Sequence, residues 1–156
     1  MYYVEQKLEE INKKTEEGKS YEFFDRANIA ATTKKYIFTT TTKPVMLYFC
    51  TMGSEDTLAV IGLYEAPTQT VAGTALTSFN LNRGTIGKTT TVAITEDPTT
   101  TANGTIIFES DVTASEDAGA VTTPILLKAG TIYMAAITNP NAGPLDVWVK
   151  MVWTEE

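Results

Sequence analysis

The chain has 156 residues, a net charge of −7 at pH 7, no histidine and one cysteine. This length suits one domain with a hydrophobic core, and the acidic balance argues against nonspecific nucleic-acid binding, which depends on lysine and arginine. The missing histidine excludes Ser-His-Asp and Cys-His catalysis, and the lone Cys50 excludes an intrachain disulfide and a site of several cysteines.

The first predicted element is an amphipathic helix over residues 3–17. Val4, Leu8 and Ile11 recur at steps of four and three, which places them on one apolar stripe, and Gly18 is a typical helix stop. A helix this short is not stable alone in water, so it must dock. It docks on its own domain, on a neighbouring copy or on a larger partner, and the sequence does not choose among the three.

The sequence becomes almost entirely β after residue 19. Threonine is frequent and suits pleated, half-exposed surfaces, and turn signals separate short runs of alternating character. We predict strands at Tyr21–Phe24, Lys35–Thr41, Val45–Met52, Leu58–Glu65, Thr74–Phe79, Thr89–Thr95, Thr105–Ser110, Ile125–Lys128, Thr131–Thr138 and Leu145–Thr154. The fold class is therefore mainly β: a β-sandwich or jelly-roll-like domain over 20–156, with a short N-terminal α-helix and docking arm over 1–19.

A ten-residue motif within these strands occurs twice. Glu65-Ala-Pro-Thr-Gln-Thr-Val-Ala-Gly-Thr74 returns as Glu96-Asp-Pro-Thr-Thr-Thr-Ala-Asn-Gly-Thr105, with six identical positions at the same spacing. Each copy lies between two apolar runs, so each is interpreted as strand, loop, strand. In each copy Pro would end a strand and Gly would turn the chain back.

The last strand shows the clearest alternation. One face carries apolar residues at every second position, and the other carries Asp146, Trp148, Lys150 and Thr154. Trp148 is therefore expected to point away from the core. It either lies at an interface or is covered by a loop or by the helix.

Groups for catalysis or ligand binding are few. The acidic pairs Glu96-Asp97, Glu109/Asp111 and Glu116-Asp117 are best interpreted as solvated residues at strand ends, and no compact calcium-binding spacing occurs. The segment 84–89 lacks the full spacing of a phosphate-binding loop. We expect no enzyme activity, no cofactor and no metal site, and Cys50 is expected to be a buried filler.

Membrane and export signals are also missing from the sequence. No apolar run is long enough to span a bilayer, and the N-terminus lacks the basic start and apolar middle of a signal peptide. We expect synthesis in a cytoplasm and no membrane partner. Arg83, in Asn80-Leu-Asn-Arg83, either braces nearby carbonyls or a carboxylate, or contacts a neighbouring protomer.

Several segments together resemble small structural proteins of tailed bacteriophages. The resemblance rests on the segments Tyr64-Glu-Ala-Pro-Thr, Gly73-Thr-Ala-Leu-Thr, Asn80-Leu-Asn-Arg83, Asn103-Gly-Thr-Ile-Ile and Leu145-Asp-Val-Trp-Val. The resemblance implies a capsid decoration, or cement, protein: a β-sandwich that binds the major capsid protein on the virion surface, commonly as a homotrimer. It carries no catalytic signature.

Candidate contact residues follow from this resemblance and from the need of the helix to dock. The hypothesis assigns capsid or interprotomer contacts to Val4, Leu8, Ile11, Tyr21, Phe23, Phe24, Arg83 and Trp148. The alternative is a receptor- or glycan-binding module of a phage fibre or spike, in which Trp148, tyrosines and Thr-rich loops would contact the ligand.

Overall fold

The computed structural model describes residues 2–55, 57–84, 88–112, 120–121 and 123–156. Within these ranges, one helix, α1 (Tyr2–Glu16), precedes fourteen strands. They are β1 (Ser20–Ile29), β2 (Thr33–Thr39), β3 (Val45–Ser54), β4 (Ala59–Glu65), β5 (Thr68–Val71), β6 (Thr74–Leu76), β7 (Phe79–Asn80), β8 (Ala93–Glu96), β9 (Thr99–Ala102), β10 (Thr105–Val112), β11 (Ala120–Val121), β12 (Ile125–Leu127), β13 (Ile132–Thr138) and β14 (Leu145–Glu155).

Two antiparallel sheets pack face to face, which confirms the predicted β-sandwich. The first sheet has the order β11-β3-β14-β1-β7, with β12 also paired to β3, and the second has the order β10-β4-β13-β2-β8-β6. Their inner faces share one core, in which Met52 and Val149 of the first sheet and Ile61 and Tyr36 of the second are fully buried. No helix in the described part of the chain is long and apolar enough to cross a bilayer.

Strand β14 confirms the predicted alternation. Five of its residues face the core: Leu145, Val147, Val149, Met151 and Trp153. Trp148 and Lys150 point to the other face, where Lys150 is exposed. A β-bulge at Tyr48 of β3 shifts the pairing of β3 with β14, and Tyr48 is the unpaired residue between Leu47 and Phe49.

The two copies of the repeated motif form strands that pair with each other. Their middle segments are strands, not the predicted loops: β5 and β9 form a two-stranded antiparallel sheet, which we call the strap. Each copy then pairs its last residue with the first residue of the other copy, Thr74 with Glu96 and Thr105 with Glu65. The sequence interpretation missed this because the pairing joins segments that are about thirty residues apart, which local patterns do not report.

The strap forms an additional layer on the outside of the second sheet. It starts at the end of β4 and finishes beside β8, and the strands β13 and β2 lie between those two in the sheet. The outer face of these strands carries a second buried cluster that includes Ile37 and Met134. Lys35, on β2, donates a hydrogen bond to the Thr100 hydroxyl of the strap. The strap therefore crosses the outer face diagonally and covers this cluster.

Helix α1 docks on the outer face of the first sheet of its own domain. Among residues 5–16 of the helix, Ile11 and Lys7 are buried, and the Lys7 ammonium lies 5.3 Å from the centre of the Phe49 ring. Leu8 is 51% exposed, so the predicted Val4-Leu8-Ile11 stripe is wrong as a docking face at Leu8; the side chain of Val4 lies outside the described part. Lys7 takes a buried position beside Ile11 because the cation–π contact of its ammonium with the Phe49 ring offsets part of the lost hydration.

The end of α1 is fixed by the glycine that the sequence pointed to. Gly18 has a φ of 70°, the Gly18 amide donates to the Thr15 carbonyl at 2.9 Å, and the Lys19 amide donates to the Lys14 carbonyl at 2.8 Å. This pair of bonds is the Schellman arrangement, which satisfies carbonyls that the helix end leaves open. The chain then turns directly into β1.

Candidate functional site

The part of the first sheet that α1 leaves open carries a group of aromatic side chains. Strand β1 pairs with β14 so that Phe24 lies opposite Lys150 and Arg26 lies opposite Trp148. On the other side of Trp148, strand β3 places Gly53, which has no side chain to cover the indole. These neighbours share the outer face, because directly opposed residues in an antiparallel pair point to the same side.

Three aromatic residues, Phe24, Phe79 and Trp148, define what we call the aromatic face. Phe24 and Phe79 are 51% and 50% exposed, and Trp148 is half-buried. Phe79 belongs to the edge strand β7 and lies opposite Glu22, two residues before Phe24 on β1. Large exposed aromatic side chains that share one face are typical of contact surfaces and not of the remaining protein surface.

Two ion pairs border the aromatic face. Arg26 pairs with Glu55, and these two residues line a shallow depression together with Phe24 and Trp148. Lys150 pairs with Glu22 at 3.3 Å. Exposed ion pairs add little to stability, but they balance the charge around the aromatic side chains. The result is an apolar centre with a polar rim that includes two ion pairs, which is the usual anatomy of a protein interface.

Arg83 lies at the edge of this face through its contact with Phe79. Its guanidinium carbon is 5.8 Å from the centre of the Phe79 ring, within the range of a cation–π contact. Two asparagines shape the backbone around it: the Asn80 side chain accepts the Asn82 amide at 2.8 Å, and the Asn82 side chain accepts the Gly84 amide at 3.0 Å.

The structure separates the predicted contact residues into two groups. Tyr21 and Phe23 are 4% and 2% exposed and belong to the shared core, so of the three aromatic candidates in this segment only Phe24 presents its side chain outward. Ile11 is buried under α1, while Leu8 is exposed on the helix surface. Tyr21 also donates its hydroxyl to the Thr89 and Gly18 carbonyls, which ties β1 to neighbouring loops.

Sequence reasoning missed Phe79, Arg26 and Glu55. Phe79 lies on a strand of two residues, too short to show alternation, and was assigned to the end of a longer strand. Arg26 and Glu55 meet only because β1 and the end of β3 are brought together by the sheet. No local pattern marks such a pair, although the alternation of β1 from Glu22 onward could have placed Arg26 on the outer face.

Three of the candidate carboxylates, Glu96, Asp97 and Glu109, are engaged in structural contacts. Glu96 and Asp97 both bind Lys34, with 2.7 Å between the Asp97 carboxylate and the Lys34 ammonium. Glu109 accepts a hydrogen bond from the Tyr64 hydroxyl at 2.8 Å; burial and this contact raise the pKa of Tyr64 to about 12. Among the residues that the structure describes, no group of three histidine, cysteine, aspartate or glutamate side chains could hold a metal ion. The pair at 116–117 lies outside the described residues.

Cys50 is fully buried in the shared core, as predicted. Burial raises the pKa of its thiol to about 12, so the reactive thiolate is scarce at neutral pH. The residue therefore serves packing.

The chain has no match among protein-family models or curated proteins. Among solved structures, a mitogen from Yersinia pseudotuberculosis aligns over 83% of both chains, at 10% identity and a TM-score of 0.44. The PliG periplasmic inhibitor of g-type lysozyme from Aeromonas hydrophila aligns over 88% of both chains, at 8% identity and a TM-score of 0.41. Likenesses at this level carry no argument about what this chain does.

Proposed function

We propose that this chain is a structural protein of a tailed bacteriophage virion, a capsid decoration or cement protein that binds the outer capsid lattice as an oligomer and stabilises it. The observation that carries the proposal is the aromatic face, an apolar surface bordered by two ion pairs on a protein of net charge −7. The virion assignment is supported by a sequence resemblance to phage structural proteins, which includes the repeated motif and Asn80-Leu-Asn-Arg83.

The mechanism of stabilisation is mass action. A protein that binds the assembled lattice and not the free subunits shifts the equilibrium toward the lattice. Phe24 and Trp148 supply the apolar contact, because aromatic side chains buried at the centre of an interface contribute most of the binding free energy. Several protomers in one oligomer bind neighbouring capsid subunits at high effective concentration, which strengthens the attachment.

The proposal includes a partner, an oligomeric state and a location. The partner is the major capsid protein, the oligomer is a homotrimer as the phage resemblance implies, and the location is the outer surface of the capsid. Leu8 is exposed on α1, which packs on the same outer face of the first sheet that carries the aromatic face.

The test combines localisation with a binding assay. Electron microscopy of the native particle, with mass spectrometry of purified virions, should find the protein on the capsid. Capsids that lack it should bind purified protein, and Trp148→Ala should weaken binding by at least about tenfold, as expected for a central aromatic contact. Leu126→Ala is the matched control, because Leu126 is 61% exposed on β12, outside the aromatic face. A protein absent from virions, or equal binding by wild type and Trp148→Ala, contradicts the proposal.

A second function is favoured by the depression beside Trp148. An indole next to Arg26 and Glu55 offers a ring for stacking and charged groups for hydrogen bonds, which is the chemistry that recognises a sugar. The alternative is therefore a receptor- or glycan-binding module of a fibre or spike. Location on the tail, loss of adsorption on deletion, and binding of host glycans that Trp148→Ala abolishes would favour it over decoration.

A further inference from the structure

The strap exposes a surface without charge. Segments 66–74 and 98–105 contain no aspartate, glutamate, lysine or arginine, in a chain in which 20% of the residues are charged. Thr68, Thr70 and Val71 of β5 are exposed, as are Thr99, Thr101 and Ala102 of β9, and Val71 is 58% exposed. The outer surface of the strap is therefore threonine-rich and neutral, although the β5–β9 ladder shifts register on both sides of Gln69.

Both strands of the strap have a free edge. Within the described residues, β5 pairs with β9 and with no other strand, so each strand offers backbone donors and acceptors on one side. The edge strand β10 of the second sheet differs, because it carries Glu109 and Asp111 in exposed positions. Exposed charges protect edge strands from pairing with other chains, and the strap lacks that protection.

The charge of the whole chain indicates what can occupy this edge. Two copies of a protein with a net charge of −7 repel each other wherever their acidic surfaces meet. The strap is an exposed surface on which two copies can meet without placing like charges together. An isolated two-stranded sheet is also marginal by itself, and further strands stabilise it.

We propose that the strap is a self-association surface, in which the free edge of β5 in one copy pairs antiparallel with the free edge of β5 in a second copy. The product is a four-stranded sheet with β9 at each outer edge. Pairing of a strand with its own copy is isologous, so the contact has twofold symmetry. Of the two strands, β5 is chosen because it carries Val71, the large exposed apolar residue of the strap.

This contact is distinct from the aromatic face, since the strap covers the second sheet and the aromatic face lies on the first. The protomer thus has one surface for a partner and another, on the opposite side of the sandwich, for a second copy. A twofold contact pairs two copies and cannot by itself build the homotrimer of the proposed function, so this inference is independent of that proposal, and its test uses the purified chain alone. If the virion assignment proves wrong, the proposed self-association through the strap is unaffected.

The test measures the mass of the purified full chain by sedimentation from about 1 µM to about 1 mM, the range in which weak association becomes populated. A four-residue strand gives a small contact, so the mass should double only toward high concentration. Val71→Lys places two ammonium groups near the twofold axis and should weaken this doubling by at least about tenfold. Hydrogen exchange should show protection of the β5 amides that rises with concentration.

Two further variants are matched controls for the added charge of Val71→Lys. Thr123→Lys adds the same charge at an exposed site before β12 of the first sheet, and Thr101→Lys adds it on β9, away from the paired edge. Both should associate like wild type, and thermal melting should show that all three variants are folded. A wild-type mass that stays constant over the whole range, or a Val71→Lys variant that doubles like wild type, overturns the proposal.

Discussion

Glu155, near the end of β14, binds the backbone of Thr91 with both carboxylate oxygens. They lie 3.1 and 2.9 Å from the Thr91 amide nitrogen, and the Thr91 hydroxyl donates to the same carboxylate at 2.8 Å. The Trp153 indole nitrogen donates to it at 3.2 Å, and Thr90 donates its hydroxyl. Glu155 is only 7% exposed, so these donors replace the water that the carboxylate loses on folding.

Removal of this carboxylate should destabilise the sandwich. Glu155→Ala leaves the Thr91 amide and the Trp153 indole without their acceptor, and we expect a loss of about 2–4 kcal/mol in the free energy of unfolding. Glu155→Gln keeps an acceptor and should lose less. Urea denaturation measures both. Glu156→Ala is the control, since Glu156 is exposed, and a change of less than about 0.5 kcal/mol is expected for it. Equal effects at the two positions would contradict this role of Glu155.

The glycine at the end of each copy of the repeat should not tolerate a side chain. Gly73 and Gly104 have φ values of 83° and 85°, and a Cβ at each would overlap the carbonyl oxygen of Glu96 and of Glu65, respectively. We expect Gly73→Ala and Gly104→Ala each to cost at least about 2 kcal/mol, from backbone strain together with overlap.

Gly143 provides the matched control for these variants. No atom lies within 4 Å of a Cβ built on it. Gly143→Ala should change the free energy of unfolding by less than about 0.5 kcal/mol. Thermal or urea denaturation of the three variants distinguishes the general effect of replacing a glycine from the specific effect of the close contact between the two copies of the repeat. Similar stabilities for all three variants would show that the copies do not meet as closely as described.

The sequence predicted the sandwich because its strands are amphipathic. All ten predicted strands correspond to observed ones, and in β14 the alternation correctly separated Val147 from Trp148. Alternation is a local property that one chain segment displays by itself. It therefore predicts which face a residue occupies, but not which strand lies beside it.

The parts that were missed depend on contacts between distant segments. The strap was interpreted as two loops because threonine runs bounded by Pro and Gly also suit loops, and only their mutual pairing makes them strands. The helix stripe was wrong at Leu8 because hydrophobicity favoured Leu8 over Lys7, while the Phe49 ring offered the lysine a better site. Phe24 and Trp148 were among the candidate contact residues, but the ion pairs beside them were not predicted.

Replacement of a side chain by alanine should have different effects on the two faces of α1. Ile11 is 9% exposed and Leu8 is 51% exposed, although both belong to the predicted apolar stripe. Ile11→Ala should cost about 2 kcal/mol, because it removes buried methyl groups between helix and sheet. Leu8→Ala should cost less than about 0.5 kcal/mol. Urea denaturation of the two variants gives the comparison, and equal losses would mean that the helix docks through a different face.

Stability should fall in alkaline solution, because the fold raises the pKa of several buried acids. Burial raises the pKa of Cys50 from 9.0 to about 12, and it raises the pKa of Tyr48 and of Tyr64 from 10.0 to about 12. The folded state thus retains protons that the unfolded state releases. The stabilisation is complete below about pH 9 and is lost as the pH rises toward 12.

Cys50 permits a direct measurement of this linkage. Between about pH 9 and about pH 12, its thiol alone should lower the free energy of unfolding by about 1 kcal/mol per pH unit. Cys50→Ala should reduce stability at pH 8 by creating a small cavity, but its stability should then fall less steeply with pH than that of wild type. Urea denaturation at a series of pH values measures both slopes. Identical slopes would mean that the Cys50 thiol ionises equally well in the folded and unfolded states.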